Sequence, residues 1–163
     1  MKHWQRVHQH TAHIELRLAL PDDTDSIAEL FGEWFPMSVW KDCITYDRAR
    51  APTVIRRGIE HGYQPFILAH DNGALVGLIS WHLDTRYTDA IGVLDEVFVV
   101  PRLVRSDLGA RLVFHAVDQA KQGGAKVFNF PLASGMREQR SLTNMLMKRF
   151  HAEPVGVILR KVL

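Results

Sequence analysis

The sequence predicts an α/β, mixed α+β domain built on a central mixed sheet of about six to seven strands with helices on both faces. Three observations lead there. Short apolar runs that alternate or are rich in β-branched residues recur along the chain, helical stripes of period 3.6 fall between them, and Asp71-Asn72-Gly73 joins two of the runs as a hairpin.

From Ile14 to Leu20, IELRLAL alternates as a half-buried strand does, and Pro21 ends it. Acids at Asp22, Asp23 and Asp25 suit the first turn of a helix whose apolar face is Ile27, Leu30, Phe31 and Trp34. Residues 39–61 are interrupted by Pro52, so two short helices or one kinked helix fit Val54, Ile55 and Ile59. PFILAH and ALVGLISWHL flank the hairpin turn, and IGVLDEVFVV forms a further buried strand that Pro101 stops. Gly109, Leu112, Val113, Ala116, Val117 and Ala120 mark a helix that Ser106 or Asp107 can cap and Gly123-Gly124 can end. AKVFNFPL reads as a short strand, 137–149 as a helix carrying Leu142, Met145 and Leu146, and PVGVILRKVL as a closing strand.

Composition narrows the function classes. With 163 residues, 47% of them hydrophobic and 23% charged, the chain has the balance of one compact domain, expected over 14–163 behind a mobile segment at 1–13. No apolar run reaches the roughly 18 residues of a membrane helix, and the N-terminus has no signal-peptide core, so a cytoplasmic location without membrane contact is expected. The formal charge of +2 is spread among acids, which argues against nucleic acid as a partner. Cys43 is the single cysteine and cannot form an internal disulfide. His3, His8, His10 and His13 have no helical pair spacing, so no metal site is expected. Arg48, Arg50, Arg56 and Arg57 read either as a solvated helix face or as an attraction for anions. Trp34, Phe35 and Trp40 read as core or as a pocket wall.

In residues 94–112, LDEVFVVPRLVRSDLGARL resembles the fourth strand and cofactor loop of the GNAT acetyltransferases: an acid, alternating aliphatics, Val-x-Pro, then a turn into a helix. IELRLALPDDTDSIAELF is similar to that family's opening strand and helix, ILAHDNGALVGLISW to its second and third strands, and EPVGVILRK to its closing strand. The compact form, with Ser134-Gly135 and the EPVG ending, looks most like the small GNAT-like proteins of bacteriophages.

The resemblance implies acetyl-CoA as acetyl donor, with the pantetheine arm along Val97, Phe98 and Val99 and the pyrophosphate at Arg105, Ser106, Leu108, Gly109 and Ala110. A helix N-terminus suits an anion because its amides are unpaired and its dipole is positive there. It also implies a primary-amine acceptor, small molecule or protein, and is compatible with a homodimer.

An acid at Asp95 or Glu96 could take the proton from the attacking amine. Strand alternation lets one of them face the cleft, and Glu96 is the expected one, although a solvated strand-end pair explains the two acids as well. The chain departs from the family pattern at Val104, where an Arg or Gln is usual, at Asp107 in the loop, and at Met147, where the family has a tyrosine that protonates the leaving thiolate. His151 is a titratable substitute nearby. These departures define the alternative: a catalytically degenerate GNAT-fold binding or structural protein, possible in a phage particle, with a macromolecular partner.

Overall fold

The computed structural model describes residues 11, 13–38, 41–86, 90–104, 106–131 and 137–154. Among them, five strands form one sheet in the order β1 (Glu15–Leu18), β2 (Phe66–Asp71), β3 (Ala74–Asp84), β4 (Ile91–Val99) and β5 (Val127–Asn129). The first four pair antiparallel and β5 joins β4 in parallel, which makes the sheet mixed. The described sheet is therefore narrower than the sequence suggests; nearly all of the closing strand expected at PVGVILRKVL lies outside the described residues.

Among the described residues, four α-helices cover the two faces. α1 (Thr24–Trp34) and α2 (Ala51–Glu60) enclose a core of Ile27, Leu30, Ile55, Phe66, Leu68, Leu78 and Phe98. α3 (Leu108–Gln122) and α4 (Arg137–Arg149) enclose the other, built on Ile67, Ile79, Trp81, Leu94, Leu112, Val113 and Leu146. No described helix is long and apolar enough to cross a membrane.

Local chemistry explains the boundaries. Pro52 does not kink a helix: it sits in the first turn of α2, where a missing N–H costs nothing. The hairpin turn holds Asn72 at φ 51° and Gly73 at φ 83°, the left-handed pair that Asn-Gly tolerates. Trp34 meets Phe98 edge-on with ring centroids 6.2 Å apart, and Phe31 meets Phe66 at 6.4 Å, so these aromatics belong to the core; Trp40 is outside the described residues. Phe128 and Phe130 pack together at 5.0 Å against the α3 side.

The body of the domain reaches back beyond Ile14, into the segment expected to be mobile. Thr11 is fully buried, its hydroxyl donates to the Asp107 carboxylate, and the Arg111 guanidinium donates to the Thr11 and Ile14 carbonyls. His13 meets Asp71 at 3.1 Å. Residues 1–10, which hold the other three histidines of the cluster, lie outside the described residues.

Candidate active site

The site is set by two irregularities of β4. The first is a bulge: Ser80 pairs with Glu96 but Trp81 pairs with Leu94, so Asp95 is an extra residue with no partner on β3. Leu94 and Phe98, an even number of residues apart, accordingly lie in opposite cores. The alternation expected for the two acids therefore fails. Ser80 and Leu78 face the α1–α2 side, as does His82 by the regular alternation of β3, and Asp95 Oδ1 lies 2.8 Å from His82 Nδ1. Asp95 and Glu96 thus both serve the α1–α2 face.

Glu96 is partly buried there, beside Phe98 and opposite Ser80. Burial, with the Asp95 charge second, pushes its carboxyl from 4.5 up to about 7. A carboxyl in this range can accept a proton near neutrality and release it again. Among the described residues, Ser80 Oγ and Asp95 Oδ2 are buried side-chain atoms without a hydrogen-bond partner.

The second irregularity is a splay. β5 pairs with β4 only at Ile91, Gly92 and Val93, so among the described residues the far half of β4 has no strand on that side. The Val100 amide donates to Val76, which by alternation turns the amides of Phe98 toward β3 and those of Val97 and Val99 toward the open edge. Phe98 therefore contributes its ring to the core and offers no free amide, contrary to its place in the expected cofactor set.

The N-terminus of α3 adjoins this edge. A Cβ placed on Gly109 would meet nothing nearer than Val99 Cγ2, at 4.0 Å, so packing does not require the glycine; its bareness leaves the backbone open. The Leu108 amide donates to Ser106 Oγ and the Arg111 amide to the Asp107 carbonyl, which leaves Gly109 and Ala110 as the first-turn donors. Leu108 itself is a fully buried core side chain, and the Ser106 hydroxyl accepts from the Leu108 amide and donates to the Leu103 carbonyl. The Asp107 carboxylate, expected to confront a pyrophosphate, is instead buried against Thr11. The bare backbone, the open amides and the withdrawn carboxylate fit the diphosphate and pantetheine of acetyl-CoA. Arg105 lies outside the described residues.

His151 does not join the acids. It follows α4 at φ 52°, exposed, between Phe150 and Ala152, which pack with the α3–α4 core, and no hydrogen bond or ion pair links it to Asp95 or Glu96. Met147, at the family's tyrosine position, is 48% exposed on α4. Arg48 lays its guanidinium over Gly32 of α1, and Arg56 pairs with Glu60 at 3.7 Å. Sequence reasoning missed His82 and Ser80. Both stand on the polar alternate positions of ALVGLISWHL, but only the bulge brings them to the acids.

The family model described as Acetyltransferase (GNAT) family matches residues 24–135. An aminoalkylphosphonate N-acetyltransferase of Salmonella typhimurium is 30% identical over 118 residues, 69% of this chain and 70% of that one. An uncharacterized N-acetyltransferase of Bacillus subtilis is 26% identical over 131 residues, 79% of this chain and 85% of its own. In fold, the chain is similar to the aminoglycoside N-acetyltransferase AAC(6')-Iy solved in complex with CoA, with a TM-score of 0.74 at 10% identity, covering 91% of this chain and 93% of that one. A ribosomal-protein-alanine N-acetyltransferase from Brucella melitensis gives a TM-score of 0.65 at 13% identity, covering 91% and 99%. The sequence matches, on a sheet whose fourth strand carries this splay and bulge, show that the chain belongs to the GNAT acetyltransferase family and is an N-acetyltransferase that uses acetyl-CoA.

Proposed function

We propose that the acceptor is a small primary amine carrying an anionic group, and that it attacks the acetyl carbonyl directly with Glu96 as the base. Bound acetyl-CoA supplies the activated thioester. The Val97 and Val99 amides would hold its arm and polarise the carbonyl, while Gly109 and Ala110 would donate to the diphosphate. Glu96 would take a proton from the nitrogen as the N–C bond forms.

The observation that carries this reading is the β4 bulge, which sets a carboxyl with its proton affinity raised to about 7 on the face opposite the α3–α4 core. The anionic acceptor is supported by the aminoalkylphosphonate relative and by Arg48, Arg50, Arg56 and Arg57 in the segment between α1 and the hairpin. Gly109 and the withdrawal of Asp107 support the cofactor site at the start of α3. Acetylation of 2-aminoethylphosphonate, followed by thiol release from acetyl-CoA, tests this reading. Turnover lost in Glu96→Gln supports the base; no thiol release with 2-aminoethylphosphonate, while an uncharged short amine is acetylated, overturns the anionic acceptor.

A further inference from the structure

The first turn of α3 stands beside a competitor for any anion it binds. Asp107 directly precedes the helix, and a carboxylate in that place ordinarily accepts from the amides two and three positions on, drawn by the positive end of the dipole. Here those amides belong to Gly109 and Ala110, the two first-turn donors left at the cofactor edge. Asp107 makes no such capping bond. Its carboxylate is buried instead, and accepts from the hydroxyl of Thr11, 96 positions earlier in the chain.

Thr11 is itself held in place. It is fully buried, and the Ile14 amide turns back onto its carbonyl at 3.0 Å. The Arg111 guanidinium, from the first turn of α3, donates to the same carbonyl and to that of Ile14, the latter at 3.0 Å. Between them, His13 Nε2 meets Asp71 at 3.1 Å, and Asp71 also accepts from Arg102 at 3.1 Å, at the start of the loop that leads into α3. The N-terminal segment therefore grips both ends of the loop between β4 and α3. The exposed ion pairs contribute little to this hold; the buried hydroxyl–carboxylate bond and the fork of Arg111 are its strong parts.

Resting on the reading of Gly109 and Ala110 as donors to the diphosphate, we propose that Thr11, His13 and Ile14 form an intramolecular clasp that keeps the cofactor site open, and that its release lets Asp107 close the site by capping α3. The two states exchange one set of donors for another. Clasped, Asp107 accepts from Thr11, and the Gly109 and Ala110 amides are left to the ligand. Released, Asp107 accepts from those amides and sets a negative charge where the diphosphate has to sit. Acetyl-CoA favours the clasped state, so its apparent affinity falls with the clasped fraction, and by linkage bound cofactor holds the N-terminal segment down. The segment ahead of β1 thus regulates the cofactor site in cis.

The test is calorimetric titration of the full chain with acetyl-CoA for the wild type, Thr11→Val, Thr11→Ser, Asp107→Ala and the Thr11→Val/Asp107→Ala double variant, each checked for a cooperative melt. Thr11→Val and Asp107→Ala delete the same hydrogen bond, yet the clasp predicts different results for them. Thr11→Val releases the carboxylate and weakens binding about ten-fold, as when about a tenth of the molecules stay clasped. Asp107→Ala removes the competitor and binds at least as tightly as the wild type. The double variant matches Asp107→Ala, and Thr11→Ser, which keeps the hydroxyl, matches the wild type. Should Thr11→Val not fold, Arg111→Gln releases the clasp from its other hold, and Asp107→Ala should reverse that loss as well. Unchanged binding in Thr11→Val, or a loss that Asp107→Ala does not reverse, makes the bond plain scaffolding and overturns the clasp alone. No binding by the wild type, or equal binding by Gly109→Trp, overturns the cofactor site and the clasp together.

Discussion

Replacing Glu96 with glutamine should make the protein more stable and less active, with both effects set by pH. The Glu96 carboxyl is raised from 4.5 to about 7, first by burial and then by Asp95. At about 1.4 kcal/mol per pH unit, its ionised form costs the fold about 3 kcal/mol. Because the folded state binds this proton more tightly than the unfolded chain, the contribution is fully present below about pH 4.5 and is lost as pH rises through 7. Urea denaturation of wild type and Glu96→Gln at about pH 4 and about pH 8 should therefore show the gap in favour of the variant widening by about 3 kcal/mol. Over the same range the wild-type kcat/KM should climb through about pH 7, while the variant is flat and roughly 10²-fold or more slower. A gap that stays constant with pH would refute the raised carboxyl, and a variant with wild-type rate would refute the base.

Three further substitutions probe the cofactor side and β5. Gly109→Ala should stabilise α3 by about 0.5–1 kcal/mol, since nothing crowds the site, yet weaken acetyl-CoA binding by closing the backbone; thermal melts and calorimetry separate the two. Thr11→Val removes the hydroxyl that the buried Asp107 carboxylate accepts from, and should cost about 1–3 kcal/mol while raising the acetyl-CoA KM; an unchanged melting temperature would contradict the anchoring of Asp107 by Thr11. Gly92→Ala places a Cβ 2.5 Å from Phe128 Cδ2, so the Phe128 ring must give way and roughly 1–3 kcal/mol should be lost, measurable by urea titration.

Much of the fold was legible because its signals are local. The Asn72-Gly73 turn, the α1 and α3 stripes and the Val-x-Pro end of β4 depend on residues a few positions apart, and each forms where the pattern places it. The site was legible only in part. Val97, Val99, Gly109 and Ala110 are proposed from the family pattern and lie together at the β4 edge and the start of α3, but the bulge at Asp95 is a property of two strands in register, and no signal within IGVLDEVFVV announces it. Without it, alternation separates Asp95 from Glu96 and hides His82. Thr11 and Asp107 meet across 96 positions of sequence, which local reasoning does not reach: Asp107 therefore read as a charge in the cofactor loop instead of as an anchor.

The most direct test of the account is calorimetric titration of the purified chain with acetyl-CoA, alongside a Gly109→Trp variant whose indole would lie across the open amides next to Val99. The account predicts saturable binding by the wild type and at least about ten-fold weaker binding by a variant that still melts cooperatively, a difference of about 1.4 kcal/mol or more. Equal binding by both, or none by the wild type, would contradict a cofactor site on the β4 edge and the start of α3.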